Sequence, residues 1–206
     1  MNVGLKRVTR TNAEIHRTNR VLTVANALTV LRILMIAPFL YFVTRGRFGL
    51  ALVIFLSASV TDFLDGYLAR RLRQDSSLGR FLDPAADKLL TTASYVVLAI
   101  PRQGLPVVPV WLALAVVGRD VVILAGSLAV YLTRRFREFR PTLAGKINTA
   151  VELGVVTVFL ALSGSEPLTS IIMPPLYWVV LATIIVSGLE YAIQGFRILM
   201  SRQPDH

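Results

Sequence analysis

The chain contains no cysteine, so disulfides, thiolate metal centres and cysteine nucleophiles are all excluded. Histidine is almost as scarce. His16 and His206 lie in the polar terminal segments, away from every apolar run. Any metal held by the body of the chain must therefore be met by oxygen, which suits hard cations such as Mg2+ or Mn2+ better than structural zinc. Charge is short as well. Only 17% of the 206 residues are charged, where a soluble domain carries roughly a quarter.

In place of charge the chain has long apolar runs, at 28–44, 48–61, 89–100, 106–132, 147–163 and 170–193. They are continuous rather than alternating, which favours helices over the strands of a closed barrel. A helix needs about 20 mostly apolar residues to cross the hydrocarbon, and the runs reach that length with their polar flanks. The expectation is an all-α polytopic membrane protein, a bundle of six transmembrane helices with an interfacial helix conceivable before the first.

The net charge of +10 points to nucleic acid only if its distribution is ignored. On a six-span model one side holds sixteen basic residues, among them Lys6, Arg7, Arg10, Arg70, Arg71, Arg73, Arg134, Arg135, Arg137 and Lys146. The other side holds Arg45, Arg47 and Arg102. That asymmetry places both termini in the cytoplasm and directs the charge towards anionic lipid heads. No groove of interleaved aromatic and basic residues argues for nucleic acid.

Residues 1–25 read as a basic cytoplasmic segment without a secretory signal, 26–199 as a membrane domain and 200–206 as a cytoplasmic tail. Asn26 is a candidate N-cap for the first helix. Arg45-Gly46-Arg47, Pro101 to Pro109 and Gly164 to Pro175 mark outer turns. Residues 71–82 and 134–141 mark cytoplasmic loops. Asp83-Pro84 reads as an N-cap and N1 pair opening the third helix.

Acids are few in these runs, and four of them fall together. The chain reads Asp62-x-x-Asp65-Gly66-x-x-Ala69-Arg70, then eight residues to Gly79, then Asp83-x-x-x-Asp87. A carboxylate near the bilayer is costly and marks a functional site with a partner. Spacings of three and four put each pair on one helical face. A short loop between the helices would let the pairs converge, and four converging anions need cations. Two divalent ions would neutralise them and form a clamp for phosphoryl displacement. Gly66 and Ala69 clear bulk beside the acids, Gly79 supplies a turn, and Arg70 can reach a phosphate with its fork. Singly, Asp83 is a helix cap, Arg70 a topological charge and Gly66 a packing residue. In this register they describe a pyrophosphate site at the membrane face.

The span 62–87 resembles, without a gap, the signature of the CDP-alcohol phosphatidyltransferase family, D-x-x-D-G-x-x-A-R-x8-G-x3-D-x3-D. The resemblance implies transfer of a phosphatidyl-type group from a CDP-linked lipid to an acceptor hydroxyl, with release of CMP. It implies that Asp62, Asp65 and Asp83 ligate metal and that Asp87 is a ligand or the general base. It also implies that Gly66, Ala69, Arg70, Ser76 and Gly79 serve the CDP-lipid, with Asn26 and Thr29 nearby. A homodimer in the cytoplasmic membrane, with its active site at the cytoplasmic face, is implied too.

A second group, Gly118-Arg119-Asp120 followed by Pro141-x-x-x-Gly145-Lys146-x-x-Thr149, bears on the acceptor. Arg119 and Lys146 can supply positive charge to an acceptor phosphate; Arg119 with Asp120 can equally be a structural pair. With Asn26-x-Leu28-Thr29-x-x-Arg32, these segments look like the branch that uses CDP-diacylglycerol and glycerol-based acceptors. Phosphatidylglycerophosphate synthases show Ala-Arg-Glu here and a second arginine eight residues later. This chain has Gly-Arg-Asp, and Ser127 stands at the later position. The departure tilts the reading towards phosphatidylglycerol as acceptor and cardiolipin as product, with glycerol 3-phosphate as the alternative. A proton- or ion-coupled transporter is the reading from another class. Against it, the acids cluster at one interface instead of stepping across the bilayer, and no inverted repeat is evident.

Overall fold

The computed structural model describes residues 24–72, 79–102, 104–134 and 142–200, with side chains over 30–61, 88–102, 104–126 and 142–196. Six α-helices and no strand occur among the described residues. They are α1 (Val24–Thr44), α2 (Phe48–Leu72), α3 (Gly79–Leu98), α4 (Val110–Arg134), α5 (Leu143–Leu162) and α6 (Glu166–Met200). The all-helical expectation holds. Among the described residues, two helices, α5 and α6 over Glu166–Phe196, are long and apolar enough to cross a membrane. Shorter apolar stretches run over Val30–Thr44, Phe48–Thr61 and Lys88–Leu98.

The Arg-Gly-Arg turn forms where the sequence places it. Arg47 N–H donates to Phe42 O at 2.9 Å and Gly46 N–H to Val43 O at 3.0 Å, which closes α1 with a Schellman pair. That closure requires a left-handed residue, and Gly46 supplies it at φ 67°. The Pro101–Pro109 turn also stands, pinned by Val108 N–H to Leu98 O at 2.9 Å.

Three helix starts differ from the sequence reading. The first helix begins at Val24, so Asn26 lies inside α1 instead of capping it. The third helix begins at Gly79, a turn before Asp83, so Asp83-Pro84 lies inside α3 instead of opening it. Proline so near a helix start removes a single backbone hydrogen bond, and the helix extends past it. The turn expected over Gly164 to Pro175 is confined to Ser163–Ser165, because α6 begins at Glu166. Pro167 takes the second helical position, where an N–H has no partner to lose. Pro174 and Pro175 sit within the helix. At 35 residues, α6 is about 52 Å long, well beyond a hydrocarbon core of about 30 Å.

The described residues divide into two compact units, one of those up to Phe39 with those of Val53–Leu90, the other of Leu40–Leu52 with those from Thr91 onward. In the first, Phe39 and Phe55 are fully buried, with ring centroids 5.7 Å apart. In the second, α4 and α5 both pack on α6. Its core joins Leu112 and Val116 of α4, Val156, Phe159 and Leu160 of α5, and Met173, Tyr177, Val180 and Ile184 of α6. The α6 residues recur at spacings of three and four, so they form one face. The opposite surfaces are apolar too. Val122 is 70% exposed, Ile171 71% and Trp178 65%. Trp111 and Trp178 pair on that outer side with ring centroids 5.7 Å apart.

Candidate functional site

The aspartate motif rides on two helices of the first unit. Positions 62 and 65 lie three apart in α2, followed in the same helix by Gly66, Ala69 and Arg70, the last of these two residues before its end at Leu72. Positions 83 and 87 lie four apart in α3, which starts at Gly79. Each pair of positions thus shares one helical face. Six residues join α2 to α3, so Leu72 and Gly79 are at most about 25 Å apart. The side chains of all four aspartates, of Arg70, and of Asn26 and Thr29 on α1 lie outside the described residues. Ser76 lies outside them altogether. Among the described residues, no group of three or more His, Cys, Asp or Glu could hold a metal. As a donor set, four carboxylates and no nitrogen or sulfur suit a hard divalent cation.

The apolar approach to the motif carries hydroxyls that are satisfied within the helix. Ser57 donates to Val53 O, Ser59 to Phe55 O and Thr61 to Ala58 O, each at 2.8 Å. Such back-bonding removes the cost of a bare hydroxyl in apolar surroundings.

The acceptor candidates fall in the second unit. Arg119 is buried, and its Nη1 donates to Asp120 Oδ1 at 2.7 Å. Its Nη2 donates to Ser187 Oγ of α6, also at 2.7 Å. Its guanidinium carbon lies 6.0 Å from the centre of the Tyr191 ring, one turn beyond Ser187. Arg119 Nε is buried with no hydrogen-bond partner among the described residues. Thr92 Oγ1 approaches Asp120 Oδ2 from α3 at 3.4 Å. The structural pairing of Arg119 with Asp120 is therefore present, and an N–H remains beyond it. Lys146 is exposed in the first turn of α5. That turn is capped by Thr142, whose Oγ1 accepts from Gly145 N–H at 3.0 Å.

A further polar group escaped the sequence reading. Glu152 is fully buried in α5, and Asn148 Nδ2 donates to its Oε1 at 2.6 Å. Thr183 of α6 donates to Asn148 Oδ1 at 2.9 Å, and Tyr95 of α3 to Glu152 O at 3.3 Å. The signal was available: an acid inside the apolar run 147–163, with an amide one turn before it. The group ties three helices together by hydrogen bonds, which are strong where water is excluded.

The model of the CDP-alcohol phosphatidyltransferase family matches residues 22–187, the motif and the Arg119–Asp120 pair included. The chain belongs to that family. This phosphatidyltransferase is 31% identical over 182 residues to CDP-diacylglycerol–glycerol-3-phosphate 3-phosphatidyltransferase of Aquifex aeolicus, covering 86% of this chain and 98% of the relative. It is 36% identical over 156 residues to human cardiolipin synthase (CMP-forming), covering 68% and 50%. Against cardiolipin synthase (CMP-forming) of Streptomyces coelicolor it is 40% identical over 114 residues, covering 52% and 51%. The phosphatidyltransferase is therefore an enzyme, a transferase of phosphate-containing groups, and its relatives lie in the glycerophospholipid branch. Substrates of the family are a CDP-linked lipid and an alcohol.

Proposed function

We propose that this phosphatidyltransferase uses CDP-diacylglycerol as donor and phosphatidylglycerol as acceptor, making cardiolipin and CMP. The observation that carries the choice is the 2.7 Å pair between Arg119 and Asp120. Asp120 matches most of the charge that Arg119 would offer. Phosphatidylglycerol carries one negative charge on a diester, whereas glycerol 3-phosphate carries nearly two and calls for a denser basic pocket. The Nε–H of Arg119, partnerless among the described residues, with Lys146 in the first turn of α5, suits the smaller demand. Glycerol 3-phosphate is the second reading, favoured by the name of the Aquifex relative.

In this reading Asp62, Asp65, Asp83 and Asp87 would hold two divalent ions, Mg2+ or Mn2+, which would supply charge neutralisation at the pyrophosphate. Arg70 holds a phosphate oxygen of the donor. Gly66, Ala69, Ser76 and Gly79, with Asn26 and Thr29, line its CDP portion. Asp87 takes the proton from the acceptor hydroxyl as the new oxygen–phosphorus bond forms and the bond to CMP breaks.

The reading extends to a homodimer of six-span protomers in the cytoplasmic membrane. Residues 26–199 form the membrane domain, between cytoplasmic segments 1–25 and 200–206. The sixteen-to-three distribution of basic residues and the apolar outer surfaces support the membrane placement; the homodimer rests on the family resemblance. Single cysteines are informative in a chain that has none. Cysteines at Arg73 and Arg135 should resist membrane-impermeant maleimide in intact cells, and one at Arg47 should react; the reverse pattern inverts the topology.

Purified protein given CDP-diacylglycerol with each acceptor in turn tests the chemistry. The expected product is cardiolipin, with weaker use of glycerol 3-phosphate. Ser127→Arg, which returns the second cation, should shift preference towards glycerol 3-phosphate. Rapid phosphatidylglycerophosphate formation with no cardiolipin would replace the first reading by the second.

A further inference from the structure

Tyr191 is placed to connect the two acceptor cations. Its ring faces the Arg119 guanidinium at 6.0 Å on one side. On another it lies against the first turn of α5, where Gly145 precedes Lys146. A Cβ built on Gly145 would stand 2.9 Å from Tyr191 Oη and 3.1 Å from its Cε2, with Thr142 Oγ1 also at 3.1 Å. Real side chains do not tolerate the first of these distances, so Gly145 is the residue that lets the ring sit there. Ser187, one turn earlier on α6, accepts from Arg119 at 2.7 Å. Two successive inward positions of α6 therefore hold one guanidinium, by a hydrogen bond and by a ring face.

We infer that Tyr191 is a positioning residue for the acceptor: seated against Gly145, it fixes Arg119 relative to the helix turn that carries Lys146. The physical reason is the number of constraints. Asp120 and Ser187 restrain the two terminal nitrogens of Arg119, yet both bonds permit the plane to rock about the line that joins them. A ring against that plane limits the rocking and so fixes the direction of the remaining Nε–H. The seat at Gly145 relates the same ring to α5, so the spacing of the two cations follows from one side chain. This explains why a glycine stands immediately before Lys146, although Thr142 already caps the helix. The inference rests on the proposed role of Arg119 in acceptor binding.

The test uses the full-length protein in lipid nanodiscs, with CMP release measured against varied phosphatidylglycerol and, separately, varied CDP-diacylglycerol. Tyr191→Leu, which removes the ring, should raise the acceptor KM about tenfold and leave the donor KM within about twofold. Tyr191→Phe, which keeps the ring face, should hold the acceptor KM within about threefold. Gly145→Ala should raise the acceptor KM in the same direction but less than Tyr191→Leu, because the ring must shift to clear the new Cβ. Adding Tyr191→Phe to Gly145→Ala removes the closest atom and should recover part of the loss, an interaction that two independent defects would not show. Equal rises in both KM values, or no rise for Tyr191→Leu, overturn the inference. The charge-free pair Arg119→Met with Asp120→Leu separates the two levels. If it leaves the acceptor KM unchanged, the acceptor role of Arg119 fails and this inference with it. If it raises that KM while Tyr191→Leu does not, only the inference fails.

Discussion

Asp62→Ala, Asp65→Ala and Asp83→Ala should each lower turnover by about a thousandfold or more, with the protein still inserted and folded. Divalent ions contribute several kcal/mol to stabilising charge at a phosphoryl centre, and each 1.36 kcal/mol is a factor of ten in rate. Loss of one carboxylate from a shared set leaves the cation under-coordinated, so the whole contribution is at stake rather than a share of it. Because the remaining acids would then repel one another less, folding itself should be spared or improved. Chelation of divalent metal should reproduce the loss, and Mg2+ or Mn2+ should restore the wild type but not the variants. Asp87→Asn is the finer probe. It keeps an oxygen and the size but not the basicity, so turnover should fall further than donor binding. Equal losses would make Asp87 a ligand alone, and activity surviving in EDTA would end the metal proposal.

The four aspartates stood out because a carboxylate in apolar sequence has few uses, and the structure places their positions on helices at the spacing expected. The helices and the Gly46 turn were legible for related reasons: long apolar runs have few folded solutions in lipid, and a positive φ selects glycine. Boundaries near proline were read less well. At Pro84 and Pro167 the residue lies within the first turns of a helix, where it breaks little, and local sequence does not distinguish that from a helix start. Of the partners of Arg119, only the adjacent Asp120 could be read. Ser187 and Tyr191 stand 68 and 72 residues further on, and nothing local marks a serine and a tyrosine in an apolar helix as the partners of a distant guanidinium. Gly145 was visible as part of a motif, but its reason, the approach of Tyr191, exists only in the packed unit.

Arg119 carries two demands that a pair of substitutions should separate. It is buried in a salt bridge with Asp120 in which each side chain is 5% exposed. Removing one member of such a pair leaves a charge without its neutralising partner, at a cost of about 3–5 kcal/mol. Arg119→Ala and Asp120→Ala should therefore both lower the melting temperature in detergent, and Arg119→Ala should also lose acceptor use. Replacing both by apolar residues of similar volume, Arg119→Met with Asp120→Leu, removes the two charges together. Buried pairs exchanged in this way are often neutral or stabilising, so the melting temperature should return close to that of the wild type. Acceptor use should not return with it. A charge-assisted hydrogen bond is worth about 1.5–3 kcal/mol, which corresponds to an acceptor KM roughly 10- to 150-fold above wild type. Recovery of stability without recovery of acceptor binding would separate the two roles. Recovery of both would mean that Arg119 serves the fold alone, leaving Lys146 as the cation that meets the acceptor.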